Sequence, residues 1–116
     1  MANTPFHVRS RVWIADQKGT FLGEGRIQLL KAIEEKGSIT KAAHSMNMSY
    51  LKAWKLIESM NNSSEMPLVI RTSGGKGGGG TILTTHGEKA IRLYQELNMR
   101  CQEFLKKEFE ALNKKY

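Results

Sequence analysis

Apolar and polar residues alternate over the first stretch of the chain. Phe6, Val8, Val12 and Ile14 share one side, with Ser10 among them, while His7, Arg9, Arg11 and Trp13 share the other. A period of two predicts a half-buried strand over 6–14. Asp16-Gln17-Lys18-Gly19 is a turn, and Thr20-Phe21-Leu22 returns as a short partner strand. The period then changes to that of a helix. Gly23-Glu24-Gly25 opens it, Ile27, Leu30 and Ile33 with Leu29 alongside form its buried face, and Lys36 ends it.

Two short helices follow, joined by a tight turn. Gly37 suits the left-handed position after a helix, and Ser38 can cap the next one. That helix carries Ala42, Ala43 and Met46, and the two alanines are small enough for a close helix crossing. Asn47 tolerates the left-handed turn conformation and Ser49 is a second N-cap. Beyond it Ala53, Ile57 and Met60 recur at i, i+4 and i+7, with Leu56 beside them. Leu51, Lys55 and Glu58 project opposite this stripe, and Lys52 and Ser59 flank it. A helix pair of this kind occurs in many all-α domains, and a lysine face alone does not make it a DNA reader.

Asn61 to Pro67 reads as a polar loop and Leu68 to Arg71 as a short strand. Thr72 to Gly80 contains six glycines (Gly74, Gly75 and Gly77 to Gly80), and Thr81-Ile82-Leu83 resumes as a strand. The two strands form a hairpin with an expected mobile tip. Either Thr84 or Thr85 caps a last helix, Thr85 with Glu88 fitting a capping box. This helix runs to about Asn113 on apolar positions Ala90, Leu93, Tyr94, Leu97, Cys101, Phe104, Leu105, Phe109 and Leu112. It outruns a small domain, so its far half needs a partner. A second copy of the chain is the favoured one, and packing back on its own chain is the alternative.

Composition narrows the partners. The 116 residues suit one globular domain with an appendage, and 40% are hydrophobic. Net charge is +7, unevenly placed. Lys36, Lys41, Lys52 and Lys55 lie in a run with no Asp or Glu, whereas Thr81 to Tyr116 holds seven basic and five acidic residues. An acid-free basic helix pair suits a polyanion, nucleic acid first. No segment is rich in both Lys and large apolar residues, which disfavours a membrane surface. One cysteine, Cys101, leaves no intramolecular disulfide and no cysteine metal cluster, which fits a reducing compartment. Without a signal-peptide core or membrane-length apolar run, the expected location is the cytoplasm.

No catalytic set emerges. His7, His44 and His86 fall in separate predicted elements, Asp16 is the one Asp, and paired-carboxylate and nucleophile motifs are absent. The glycine run is no nucleotide loop, because Lys76 is followed by Gly77 rather than Ser or Thr and strands flank the run on both sides. A DNA-contacting wing is the alternative. Bare glycine backbone can approach a phosphate ridge or minor groove, with Arg71 and Lys76 supplying charge. No cofactor, metal or enzymatic activity is expected.

The motifs carry a family resemblance. Gly23-Glu24-Gly25-Arg26 with Leu29-Leu30 and Ile33, Gly37-Ser38-Ile39-Thr40-Lys41-Ala42-Ala43, and Met48-Ser49-Tyr50 with Ala53-Trp54 and Met60-Asn61 are followed by the Gly74–Gly80 run, Leu83-Thr84 and Gly87. Together they resemble the N-terminal DNA-binding domain of the ModE-type molybdate-responsive regulators, relatives of the LysR-type winged helix–turn–helix proteins. The resemblance covers nearly the whole chain. It implies an α+β, mostly α fold: a winged helix–turn–helix with an N-terminal β-hairpin and a long C-terminal dimerisation helix. Residues 1–84 would be the DNA-binding domain (strands 6–22, helix–turn–helix 38–60, wing 68–84) and 85–116 the dimerisation helix.

It also implies a prokaryotic transcriptional regulator that binds a duplex operator as a homodimer. The recognition helix is then 49–60 and the wing 71–81. Lys52 and Lys55, with Leu51 and Ser59, face the major groove. Ser38, Thr40, Lys41 and Ser49 contact or position phosphates, and Arg71 and Lys76 reach an adjacent backbone or minor groove. Tyr50 and Trp54 are mainly structural, with edge contact to DNA. Full-length members carry C-terminal oxyanion-binding domains, and this sequence contains no counterpart, so no molybdate site is expected here. The other reading is a protein-interaction module that keeps the fold without operator binding.

Overall fold

The computed structural model describes residues 5–72 and 80–114. Two strands, three helices, two more strands and a last helix follow one another: β1 (Ile14–Asp16), β2 (Gly19–Leu22), α1 (Glu24–Lys36), α2 (Ile39–Ser45), α3 (Tyr50–Ser63), β3 (Val69–Arg71), β4 (Thr81–Leu83) and α4 (Thr85–Asn113). The strands form two separate antiparallel hairpins, β1–β2 and β3–β4. This is the α+β, mostly helical architecture expected from the sequence.

The caps explain the segmentation. Gly37 is left-handed at φ 69° and its N–H bonds the Ile33 carbonyl, closing α1. Ser38 and Ser49 accept from the backbone N–H of Lys41 and Lys52 at 3.2 and 3.0 Å, starting α2 and α3. Asn47 takes φ 54°, the one non-glycine residue with positive φ among those described. The Ala43 carbonyl accepts from Met46 and Met48, which folds the turn back tightly.

Leu22, Ile27, Leu29, Leu30, Ile33, Ala42, Ala53, Met60 and Leu68 are almost fully inaccessible and form one core with Ile39, Ala43, Ile57, Val69, Ala90, Ile91 and Tyr94. α1 is its centre, packing on α2, α4 and β4, while α3 packs on α2 and β2. The second hairpin is tied to this core at both ends. Thr81 N donates to the Gly37 carbonyl, and Asn61 accepts from Leu68 N and Val69 N while its amide donates to the Val69 carbonyl.

Four expectations need correction. The strand over 6–14 is confined to Ile14–Asp16, and its partner β2 starts one residue earlier than expected, at Gly19. A strand exists only where a neighbour pairs with it, and β2 reaches only from Asp16 to Ile14, with a bulge between Ile14 and Ala15. Residues Phe6 to Arg11 instead line a cleft with Gln102, Lys106, Phe109 and Glu110 of α4, and Phe6 and Val8 remain exposed. Secondly, α3 continues through Asn61 to Ser63, so the polar loop is shorter; the Asn61 side chain substitutes for loop backbone bonds. Thirdly, Leu68 precedes the strand rather than beginning it, and serves the core. Lastly, of the two expected candidates Thr84 is the N-cap of α4, accepting from Gly87 N at 3.0 Å. The capping box of Thr85 and Glu88 does not form, because the third helical residue after this cap is Gly87.

α4 has 29 residues, about 44 Å of helix at ~1.5 Å per residue, in a molecule whose longest extent is 63 Å. Its buried residues, Gly87, Ala90, Ile91 and Tyr94, all lie in the first third. Ile91 is a core residue that the apolar spacing did not single out. Farther on, Cys101, Leu105 and Phe109 are half-buried, Phe109 in the cleft with the N-terminal segment, whereas Leu93, Leu97 and Phe104 stay exposed on a neighbouring stripe.

Candidate nucleic-acid interface

The outward side of α3 follows from its inward one. Ala53, Ile57 and Met60 are buried, so a rotation of about 100° per residue turns Leu51 and Lys55 away from the core. Leu51 is 57% exposed, an apolar residue held in water at the front of the helix. Lys52 and Lys55 are exposed beside it. α2 packs on α3 as well as on α1, and its Ala42 and Ala43 are buried.

The second hairpin sits against the start of α3. Arg71, the last residue of β3, donates from Nη2 to the hydroxyl of Tyr50, the first residue of α3. Ser38, Ile39 and Thr40 from the start of α2, Tyr50 from α3, and Arg71, Thr72, Gly80 and Thr81 from the hairpin together line one hollow of about 400 Å³. Thr72 holds its rim closed, its N–H donating to the Gly80 carbonyl at 2.8 Å and its Oγ1 accepting from Gly80 N at 3.0 Å.

Unpaired cations stand among these elements. Among the described residues Lys41, Lys52, Lys55 and Arg71 pair with no carboxylate; the ion pairs present are Lys36 with Glu35 and Arg100 with Glu96. Exposed cations without protein counter-ions are what a row of phosphates would neutralise. No group of three or more metal-ligating side chains occurs among the described residues.

The arrangement is that of a helix–turn–helix followed by a wing, and comparison with known proteins agrees. Residues 25–88 match the family of bacterial regulatory helix-turn-helix proteins, lysR family. The chain belongs to the lysR family. Among its relatives, the molybdenum transport protein ModE of Azotobacter vinelandii is 42% identical over 90% of this chain and 38% of its own length. The transcriptional regulator ModE of Haemophilus influenzae is 46% identical over 75% and 34%. The molybdenum-pterin-binding protein MopB of Rhodobacter capsulatus is 37% identical over 86% and 37%. The chain thus spans between a third and two-fifths of the length of these relatives.

Within this lysR-type domain the structure brings together most residues marked from the sequence. Ser38 and Ser49 are the caps of α2 and α3, Thr40 and Lys41 are exposed on the first turn of α2, and Tyr50, Leu51, Lys52 and Lys55 are exposed on α3. Tyr50 and Trp54 are more open than a structural role suggests, at 45% and 36%. Ser59 differs from the others: it is half-buried, and its Oγ accepts from Arg26 Nη1 at 3.1 Å. Lys76, Gly74, Gly75 and Gly77 to Gly79 lie outside the described residues, and with them the tip of the wing.

Sequence reasoning passed over Arg26. It leaves α1 near its start and reaches the far flank of α3, its Nη1 also 3.5 Å from the Phe21 carbonyl. Burial lowers its pKa from the ordinary value, although a guanidinium stays charged. The signal available in the sequence was an arginine on the first turn of a helix, where a carboxylate suits the helix dipole better.

Proposed function

We propose that this chain is a transcriptional regulator that binds duplex DNA as a homodimer, acting in the bacterial cytoplasm. The observation carrying the reading is the outward face of α3: in a lysR-type helix–turn–helix, Lys52 and Lys55 stand exposed without carboxylate partners beside the exposed Leu51. α3 would enter the major groove, with Lys52, Lys55 and Leu51 toward the base edges. Ser38, Thr40, Lys41 and Ser49 would meet the backbone, and Arg71 and Lys76 the neighbouring phosphate ridge. Phosphate contacts would set most of the affinity and its salt dependence. α4 would supply the dimer contact through Leu93, Leu97 and Phe104, which lie within about 40° of one another in projection and are exposed by 55, 42 and 63%. Residues 1–84 would then act as the reading domain and 85–116 as the dimerisation helix.

The test is gel retention of random-sequence duplex DNA over a salt series, beside sedimentation of the protein alone. Wild type should sediment as a dimer and retain DNA with a steep salt slope. Lys52→Ala and Lys55→Ala should each weaken retention and flatten the slope, and Leu97→Lys should shift the protein toward monomer. A dimer that retains no duplex at any salt refutes the proposal and favours a protein-interaction module docking through the same apolar stripe.

A further inference from the structure

We infer that Arg26 binds a DNA backbone phosphate, on the flank of α3 opposite the one occupied by Arg71. The inference rests on the duplex-binding reading above and adds to it a residue outside both the helix–turn–helix and the wing.

The position comes from two hydrogen bonds. Tyr50 holds Arg71 and Ser59 holds Arg26, and these hydroxyls are nine residues apart on one helix. At about 100° per residue, nine residues amount to about 180° of rotation. The two guanidinium groups therefore grip opposite flanks of α3. The buried residues Ala53, Ile57 and Met60 occupy one half of the circumference between those flanks, and Leu51 and Lys55 occupy the other. Arg26 shares a groove with Ser49, Leu51, Lys52, Lys55, Leu56 and Ser59, all from α3 and its cap. A helix lodged in a major groove about 12 Å wide has a phosphate ridge on each side. Arg71 is placed for one ridge and Arg26 for the other.

The chemistry agrees with the position. Both hydrogen bonds of Arg26 use Nη1. The donors on Nη2 and Nε have no acceptor among the described residues, although a guanidinium carries five N–H groups in a planar fork. Among the described residues no carboxylate pairs with it; the nearest in sequence, Glu24, accepts from Gln28 Nε2 at 3.0 Å instead. A partly exposed guanidinium with no carboxylate partner among the described residues keeps its free donors open to an incoming anion. A phosphate oxygen pair matches the fork. The Ser59 bond fixes the guanidinium beforehand, so little side-chain freedom is lost on binding.

The experiment is a salt titration of duplex retention by the full chain carrying Arg26→Gln, Ser59→Ala or Lys55→Ala. Each lost phosphate contact removes about 0.9 from the slope of log affinity against log salt. Arg26→Gln should flatten the slope by about that amount per protomer and weaken retention at least tenfold at moderate salt. Ser59→Ala keeps the cation, so it should weaken retention a fewfold with the slope unchanged. An Arg26→Gln slope equal to wild type, while Lys55→Ala flattens it, makes Arg26 a strut and overturns the inference with the DNA-binding reading intact. Absence of retention by wild type removes both. Should Arg26→Gln fail to fold, the side-chain Nε–H resonance of Arg26 in nitrogen-labelled wild type decides. It should shift and exchange more slowly when duplex is added, and an unchanged resonance overturns the inference.

Discussion

Arg71 Nη2 donates to Tyr50 Oη, which joins the last residue of β3 to the first residue of α3. The bond spans 21 residues of sequence and lies at the surface. It links the wing to the start of α3, while Asn61 holds β3 near the other end of the helix. It also holds a cation beside the face proposed to meet DNA.

Tyr50→Phe removes that bond while keeping the ring. A hydrogen bond contributes at most about 0.5–1.5 kcal/mol to stability, so the melting temperature should fall slightly, and duplex affinity should fall by up to roughly tenfold as Arg71 loses its orientation. Retention assays beside thermal denaturation check this; an unaltered affinity would mean that Arg71 needs no orientation.

Gly87→Ala should destabilise the fold strongly. A Cβ at Gly87 would stand 2.4 Å from the Leu68 carbonyl oxygen and 2.3 Å from Leu83 Cδ1. The leucine tip can move, but the carbonyl is held by Thr84 N at 2.9 Å and Thr84 Oγ1 at 3.0 Å. The expected loss is about 1–3 kcal/mol or more, read by chemical denaturation. The substitution otherwise favours a helix, so a stability equal to wild type would contradict this packing.

Asn61→Ala leaves Leu68 N, Val69 N and the Val69 carbonyl without their side-chain partner. Partly buried groups left unsatisfied cost about 1–3 kcal/mol. Amide hydrogen exchange should quicken at Leu68 and Val69 before the α1 core is affected, which distinguishes loss of the wing anchor from general unfolding.

Tyr94 ties the N-terminal segment to α4, its hydroxyl donating to the Val12 carbonyl at 2.9 Å. Burial, and then the charge of Glu24, raise its pKa above the ordinary 10.0. The folded state thus favours the protonated phenol. That contribution is fully present below the unfolded value of 10.0 and is lost as pH rises through the higher folded value. Tyr94→Phe should be less stable at neutral pH by about 0.5–1.5 kcal/mol. The gap to wild type should close in alkali, as denaturation measured across that range would reveal.

Local order in this protein was legible because it depends on neighbours along the chain. Ser38, Ser49, Gly37 and Asn47 act within four residues of themselves, and the structure places each in the conformation its chemistry favours. The apolar stripe Ala53, Ile57 and Met60 likewise orients α3 by rotation alone. The strand over 6–14 was misread because alternation specifies which side is apolar but not whether a neighbouring strand exists. The cap of α4 was ambiguous because Thr84 and Thr85 are chemically equivalent; the Pro67 and Leu68 carbonyls, which take the Thr84 hydroxyl, decide between them.

The order of elements, the two helix caps, the basic outward face of α3 and the family likeness all reside in residue spacing, and spacing is complete in one dimension. The pairing of Tyr50 with Arg71, of Ser59 with Arg26 and of Tyr94 with Val12 joins residues 21, 33 and 82 positions apart. Such partners are selected by which surfaces the core brings together, and no period along the chain encodes them. Folding on α1 therefore turned a basic helix into one gripped on both flanks by arginine, since only packing determines which distant side chains become neighbours.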